Sequence, residues 1–474
     1  MDPSWRFKIA VLALLPLALA ITLGIRADNS SLNQAVDRAE KYNQEGMVEV
    51  AANEWVQAAK INPWRGDLWE QAGLAAWRDQ DYFDAEVHLF EAEDTIRLSD
   101  KGTVALIDSL YRTGNQQLAF TRLDGIGTNQ TNLESIYQPL VEDTLRHGEA
   151  ASAVVLAKRW QVVAPDNSRA NYLLALAMAM DDPYGALTFF KKAALTDTTL
   201  DSSLKKFQDM LSLRGKEWDE SLKDLYLSKF YTTCGEWKLA EKAAINALED
   251  NMEQAEAWAY LGEIRQHLGL DGLAELDKAG QLDPNSVTVK GLTALYWQRH
   301  QKPEQALIYL HAAADLEPEN AVWQLGLANT LIDLNEIAQA QSYYEKAAEL
   351  EPQNTEYWTA LAGYAVHYHS GLPDLGLKAA RQVILYAPDQ ASSYDLMGQV
   401  FYEVEDMDSA SRFFNRSLQM DPGYAPAHLH LGWLYFRQNQ LSYAQSEWTA
   451  AAKSMDEITR QQAEKLIQQY FPGK

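Results

Sequence analysis

Apolar residues recur along this chain at helical spacing, in short runs, and no convincing run alternates in the manner of a strand. In the stretch 321–352, AVWQLGLANTLIDLNEIAQAQSYYEKAAELEP, Trp323, Leu327, Leu331 and Leu334 follow one another at intervals of four, four and three residues. After a turn at Asn335 and Glu336, Ala340, Tyr344 and Ala347 do the same. Such spacing places each set on one face of a helix. Pro352 stops the second helix, because proline has no N–H to continue it. Helices this short cannot bury their apolar faces as one isolated pair, so similar pairs are required on either side.

The chain supplies them at a fixed period. Helix-ending prolines stand at Pro284, Pro318, Pro352, Pro388 and Pro422, at intervals of 34, 34, 36 and 34. A small residue suited to a close helix–helix approach recurs with the same intervals at Ala306, Ala340, Gly376, Ala410 and Ala444. In the N-terminal half, Ala51, Ala85, Ala119 and Ala153 are each 34 apart, and Pro63 and Pro165 differ by three such steps. A fixed period of this length marks stacked helix–turn–helix units.

The unit from Ala391 carries Tyr394, Met397, Gly398, Phe401, Ala410, Phe414 and Pro422; that from Ala425 carries His428, Leu431, Gly432, Tyr435, Ala444, Trp448 and Ala451. Those from Gly66 (Trp69, Ala72, Gly73, Ala85, Leu89, Ala92) and Ala255 (Trp258, Leu261, Gly262) repeat the pattern. In these residues the chain resembles the tetratricopeptide repeat family, whose pattern is W-x2-L-G-x2-Y, A-x3-F, A and P. The resemblance covers nearly everything after about residue 31. It implies an all-α fold: a right-handed α-solenoid of about twelve helix pairs. A C-terminal capping helix would follow the array and one N-terminal hydrophobic helix precede it.

In chain order, residues 1–27 form a signal anchor or signal peptide. A first array fills 28–196, with units beginning near Leu32, Gly66, Asp100, Glu134 and Ser168. The period then breaks. An extra segment, Thr198–Lys216, holds one helix with an apolar stripe of Leu200, Leu204, Phe207 and Leu211. A seam is therefore expected over 197–220. A second array fills 221–455, with units near Ser221, Ala255, Val287, Ala321, Thr355, Ala391 and Ala425. In 456–474, a helix with Ile458, Ala463, Leu466 and Ile467 on one side covers the open end of the stack, and Gln461, Gln462, Gln468 and Gln469 face water. Such a cap is what a solenoid requires for solubility.

The net charge of −25 and pI near 4.8 argue against nucleic acid as a partner. The same acidity disfavours peripheral binding to anionic headgroups. The N-terminus is different in kind. Arg6 and Lys8 precede an uncharged run from Ile9 to Ile25, which spans about 26 Å as a helix. The expected membrane segment covers residues 7–25. Cations on its N-terminal side put the repeats outside the cytoplasm. The segment either stays as a single-pass anchor or is cleaved near Ala20 or Ala27, leaving a secreted or periplasmic protein. With Cys234 the one cysteine, there is no intramolecular disulfide and no Cys-based metal site.

Catalytic motifs are missing: there is no H-E-x-x-H, paired C-x-x-C, P-loop or G-x-S-x-G. No enzymatic activity and no cofactor are expected. Gly125 and Gly127 mark a turn rather than a phosphate loop. The pairs His367/His369 and His428/His430 point about 200° apart on a helix and do not make a metal site.

The resemblance implies that extended peptides or partner helices bind on the face lined by first helices. The groove-facing slots carry Leu325 and Asn329, then Asp395 and Gln399, then Leu429 and Trp433. The lysine and asparagine with which some family members clamp a carboxylate are missing. Tyr402, Trp433 and Phe436 stand there instead, with the acids Glu263, Asp395 and Glu403. The aromatics either bury against the capping helix or form a partner-binding groove. The candidate partner-binding residues are thus Asn329, Asp395, Gln399, Tyr402, Trp433 and Phe436. The function expected is that of a non-catalytic, membrane-tethered, extracytoplasmic scaffold for membrane or envelope proteins. The alternative is an accessory or regulatory subunit of a membrane enzyme complex, such as one building or exporting a surface polymer.

Overall fold

The computed structural model describes residues 30–125, 133–212 and 220–472, and the expected membrane segment lies outside them. No helix among the described residues is long and apolar enough to cross a membrane. The described secondary structure is helical throughout, in two compact units divided between Asp250 and Asn251.

In the first unit the pairs are 30–44 with Val48–Ile61, Gly66–Arg78 with Tyr82–Glu93, and Asp100–Arg112 with Gln116–Gly125. Leu133–Arg146 with Ala150–Val163 and Ser168–Met178 with Pro183–Thr196 follow. A 3-10 turn, Thr198–Leu200, and the single helix Asp201–Ser212 precede a further pair, Glu220–Cys234 with Trp237–Asp250. The second unit holds Ala255–His267 with Leu273–Leu282, Val287–Arg299 with Pro303–Leu316, and Ala321–Asp333 with Ile337–Leu350. Thr355–Tyr368 with Asp374–Tyr386, Ala391–Glu403 with Met407–Met420, and Ala425–Arg437 with Leu441–Ala451 complete its pairs. Glu457–Tyr470 closes it. Each first helix begins at, or one or two positions before, a unit start expected from the period.

Local chemistry sets these boundaries. Asn320 and Asn354 accept the N–H of Val322 and Glu356, and Ser286 and Asp406 cap their helices in the same way. Most turns inside a pair close on a left-handed residue. In 321–352 this is Asn335, at φ 59°, and the Glu336 N–H reaches back to the Leu331 carbonyl at 2.8 Å. The same conformation falls at Gly46, Gln80, Gly114 and Gly148, again in step with the repeat.

Small residues bring the two helices of a pair together. Ala51, Ala85, Ala119, Ala153, Ala306, Ala340, Ala410 and Ala444 are all 0% exposed. Opposite Ala410 and Ala444, glycines of the first helices leave room for large rings. A Cβ at Gly398 would stand 2.5 Å from the Phe414 ring, and one at Gly432 would stand 2.4 Å from Trp448.

Two expected faces differ in detail. On Ala321–Asp333 the buried residues include Gln324, Leu327 and Leu331, whereas Trp323 and Leu334 are only partly buried. On the closing helix Thr459, Ala463, Leu466 and Ile467 turn inward, and Ile458 is 68% exposed. Asp456 caps this helix by accepting both the N–H and the hydroxyl of Thr459, and that bond draws Thr459 rather than its neighbour to the inner side.

The unpaired helix fills the break in the period. Phe207 is fully buried, 4.6 Å from the Phe190 ring and 4.9 Å from Phe230. Met210 and Leu211 are buried beside it. The next pair folds back onto the first array: the Tyr231 hydroxyl donates to the Leu176 carbonyl at 2.9 Å, and Trp237–Asp250 packs on Leu133–Arg146. The division between compact units thus falls one helix pair beyond the break.

Gly432→Ala is expected to destabilise the C-terminal end by roughly 1–3 kcal/mol, because Trp448 cannot retreat from a well-packed core. A lower thermal midpoint and faster proteolysis within 425–472 are the readouts; an unchanged melting curve and digest would show that this packing has slack.

Candidate functional site

In several units the fourth residue of the first helix ties that helix to the loop before it. The Asn171 amide donates to the Pro165 carbonyl at 2.9 Å, the Trp258 indole to Met252 at 2.8 Å, and the Trp358 indole to Pro352 at 2.8 Å. Gln324 reaches Pro318 at a long 3.5 Å, and His428 Nε2 stands 3.1 Å from the Pro422 carbonyl. In all five the partner is six positions back. What this slot needs is an N–H of the right reach, so tryptophan, asparagine, glutamine and histidine all serve.

Acids on the face lined by first helices tie neighbouring units together. Glu263 holds Arg299 of the next unit through both of its oxygens at 2.6 Å. In the first unit, Asp108 accepts from the Trp77 indole at 2.7 Å and pairs with Arg112. Asp395, 2% exposed, accepts from Gln399 at 2.9 Å and lies 2.8 Å from His430 Nδ1 of the next unit. Asp395 is therefore a buried strut that fixes Gln399 and His430.

Above that strut lies a cavity of about 290 Å³, lined by Val366, Gln399, Tyr402, Glu403, Phe414, His430 and Trp433. It unites three of the candidate residues, Gln399, Tyr402 and Trp433, with Asp395 beneath them. Trp433 also packs against the end of the stack, with its ring 5.2 Å from Trp448 and 6.2 Å from Tyr470. Phe436 belongs to that contact, 4.5 Å from the Tyr470 ring. Asn329 stands apart: it is exposed, and its side-chain oxygen accepts from the Tyr344 hydroxyl at 2.6 Å.

A second cavity, about 390 Å³, was not foreseen from the sequence. Tyr260, Gly291, Leu295, Val322, Trp323 and Gly326 contribute to its walls. Trp323 forms one wall because it is only partly buried, with its indole donating to Glu317 at 2.8 Å and its ring against Gly291. The sequence signal is the glycine at 291, in the slot filled by Leu325 and Asp395 in other units.

The paired histidines have separate partners. His428 Nδ1 lies 2.6 Å from Glu447, and His430 contacts Asp395. Among the described residues no group of His, Cys, Asp and Glu is arranged to hold a metal ion. Cys234 is partly buried at a helix end, where burial pushes the thiol up from its ordinary value.

Residues 298–364 match the sequence model of the tetratricopeptide repeat. Among solved structures, the chain is similar to the APC/C hetero-tetramer Cut9-Hcn1, at 14% identity, 90% of this chain, 94% of that one and a TM-score of 0.41. It is similar to yeast Tom70 at 13% identity, over 93% of this chain and 96% of that one, with a TM-score of 0.37. For Pseudomonas aeruginosa pilF the figures are 20% identity, 44% and 95% coverage, and a TM-score of 0.38. No curated protein matches the chain.

His428 faces an acceptor on each ring nitrogen, and only the imidazolium donates from both. The hydrogen bond to Glu447 accordingly raises its pKa, against the opposing effect of burial. The stabilisation is fully present below the unfolded value, about pH 6.5, and is lost as pH rises through the folded value. His428→Gln keeps a donor for Pro422, as Gln324 does for Pro318, but has no charge for Glu447. It should lower the thermal midpoint more in mildly acidic than in mildly alkaline buffer. An equal loss at both would remove the charged form from the account.

Proposed function

We propose that this chain is a non-catalytic scaffold that takes segments of partner proteins on the face lined by the first helices of residues 255–470. The observation that carries this reading is the pair of side-chain-sized cavities on first helices of the second unit, one over Gly291 and one over Asp395. Each joins aromatic walls to a few fixed polar groups, which suits anchor side chains of a protein partner. Peptide binding is named for a similar solved structure, the tetratricopeptide repeat protein YrrB, described as having an unusual peptide-binding site.

The reading extends to the N-terminus. The uncharged run Ile9–Ile25, with Arg6 and Lys8 before it, supports a single-pass tether with the repeats on the extracytoplasmic side. Tethering raises the local concentration of the repeats near membrane partners, so weak contacts suffice.

The test is a crosslinked pull-down of the full-length protein from its native membranes, with the mature N-terminus sequenced on the same sample. Membrane proteins should co-purify, and Tyr402→Ala or Val322→Glu should cut their recovery several-fold. Phe83→Ala, at an exposed position on a second helix of the other unit, should leave recovery unchanged. A partnerless protein would overturn the scaffold. A soluble one beginning near Ile21 or Asp28 would overturn the tether.

A further inference from the structure

We propose that the cavity over Asp395 is a receptor for one cationic side chain, a lysine or an arginine, on a partner segment; this deepens the scaffold reading and rests on it. The cavity has aromatic walls from Tyr402, Phe414 and Trp433, and polar groups from Gln399, Glu403 and His430. At about 290 Å³ it falls just below the usual range for small-molecule sites, about 300–1,000 Å³, and has room for a single long side chain.

The polar groups select the charge. Gln399 donates its amide N–H to Asp395, which leaves its carbonyl oxygen to accept. Glu403 is partly buried, with 24% of its side chain exposed, and it pairs with His369 at 3.3 Å. That His369 is 67% exposed, so the contact is readily displaced by a stronger cation. The rings of Tyr402 and Trp433 are among the lining residues, and aromatic rings attract ammonium and guanidinium groups. No lysine or arginine is among the described lining residues. Arg437, 5.3 Å from the Tyr402 ring centroid, is held by Glu405 at 2.6 Å. His430 is held by Asp395. The chain as a whole carries a net charge of −25, so the long-range field has the same sign preference. An anionic side chain there would face Glu403 with like charge, and an aliphatic one would gain nothing from it.

The experiment titrates full-length protein by calorimetry with glycine pentapeptides whose central residue is arginine, lysine, leucine or glutamate. The arginine and lysine peptides should bind in the millimolar range, roughly tenfold tighter than the glutamate peptide. Glu403→Gln should weaken them about tenfold without altering the circular dichroism spectrum, and added salt should weaken them further. Ile308→Ala, at an exposed position on a second helix, should change nothing. Equal affinity for the arginine and glutamate peptides, no arginine binding at millimolar concentration, or indifference to Glu403→Gln would overturn the receptor. Partners recovered from membranes without any cation preference would remove the receptor and keep the scaffold. A cation preference with no recoverable partner would remove the scaffold and keep the receptor.

Discussion

Everything in this molecule depends on how closely the two helices of a pair approach. Helices as short as these are marginal alone in water. Many are held by an alanine or glycine seated against the partner helix, as at Ala340, Ala410 and Gly376, and in two pairs also by a glycine that admits a ring, as Gly432 admits Trp448. The approach fixes the distance and tilt within a pair. Because the same residue types return at a nearly constant interval, it also sets the repeat along the chain. The result, within each compact unit, is a row of first helices whose side chains at fixed slots share one face.

A second set of bonds holds one pair to the next, and it decides what that face can offer. Where a fourth-slot residue donates an N–H to the carbonyl six positions before it, the connecting loop cannot drift. Groove-side acids then cross to the following pair: Glu263 to Arg299, Asp395 to His430. A buried carboxylate with two donors is a tie, and breaking it by removing one partner leaves an uncompensated charge. An acid in such a slot is therefore weak evidence of a ligand. Glu403 differs, being bonded to an exposed histidine and standing at the mouth of a cavity.

The period, the helix starts and the close-approach alanines were legible in the sequence because all three depend on spacing and residue size alone. The left-handed turn residues were equally regular, at Gly46, Gln80, Gly114 and Gly148, although glutamine at 80 hides the pattern. The exchange of Trp323 for Gln324 was not legible. Helical spacing admits either, and the slot selects for an N–H that reaches Pro318 rather than for apolar area. Ile458 was assigned to the cap by hydropathy, whereas the Asp456 bonds to Thr459 set the rotation of that helix. The candidate residues came from the sequence one at a time, and their arrangement in space did not. The cavity that joins Gln399, Tyr402 and Trp433 needs Val366 and Phe414 from two other helices, and Asp395 bears on it only through its bonds to Gln399 and His430. The fold-back of Glu220–Asp250 onto the first array was invisible for the same reason, since it follows from where an unpaired helix points.

The surplus of acid, 66 aspartates and glutamates against 41 lysines and arginines, acquires a more specific meaning in this light. Several of the arginines are already committed to structural pairs, Arg112 with Asp108 and Asp143, Arg299 with Glu263, Arg437 with Glu405. Each such pair takes one anion out of play with its cation, so the field felt by an approaching partner keeps the sign of the net charge of −25. Such a field speeds encounter with basic surfaces and repels acidic ones, and it acts on rate and specificity more than on final affinity. In the proposed scaffold, affinity would come from the cavities, where water is displaced and the walls are fixed by bonds made for stability. The same struts that hold pair to pair thus also hold the polar groups of the site in place. The face proposed to bind partners is a by-product of the stacking, refined wherever a slot is filled by glycine at 291 or by a loosely held acid at 403.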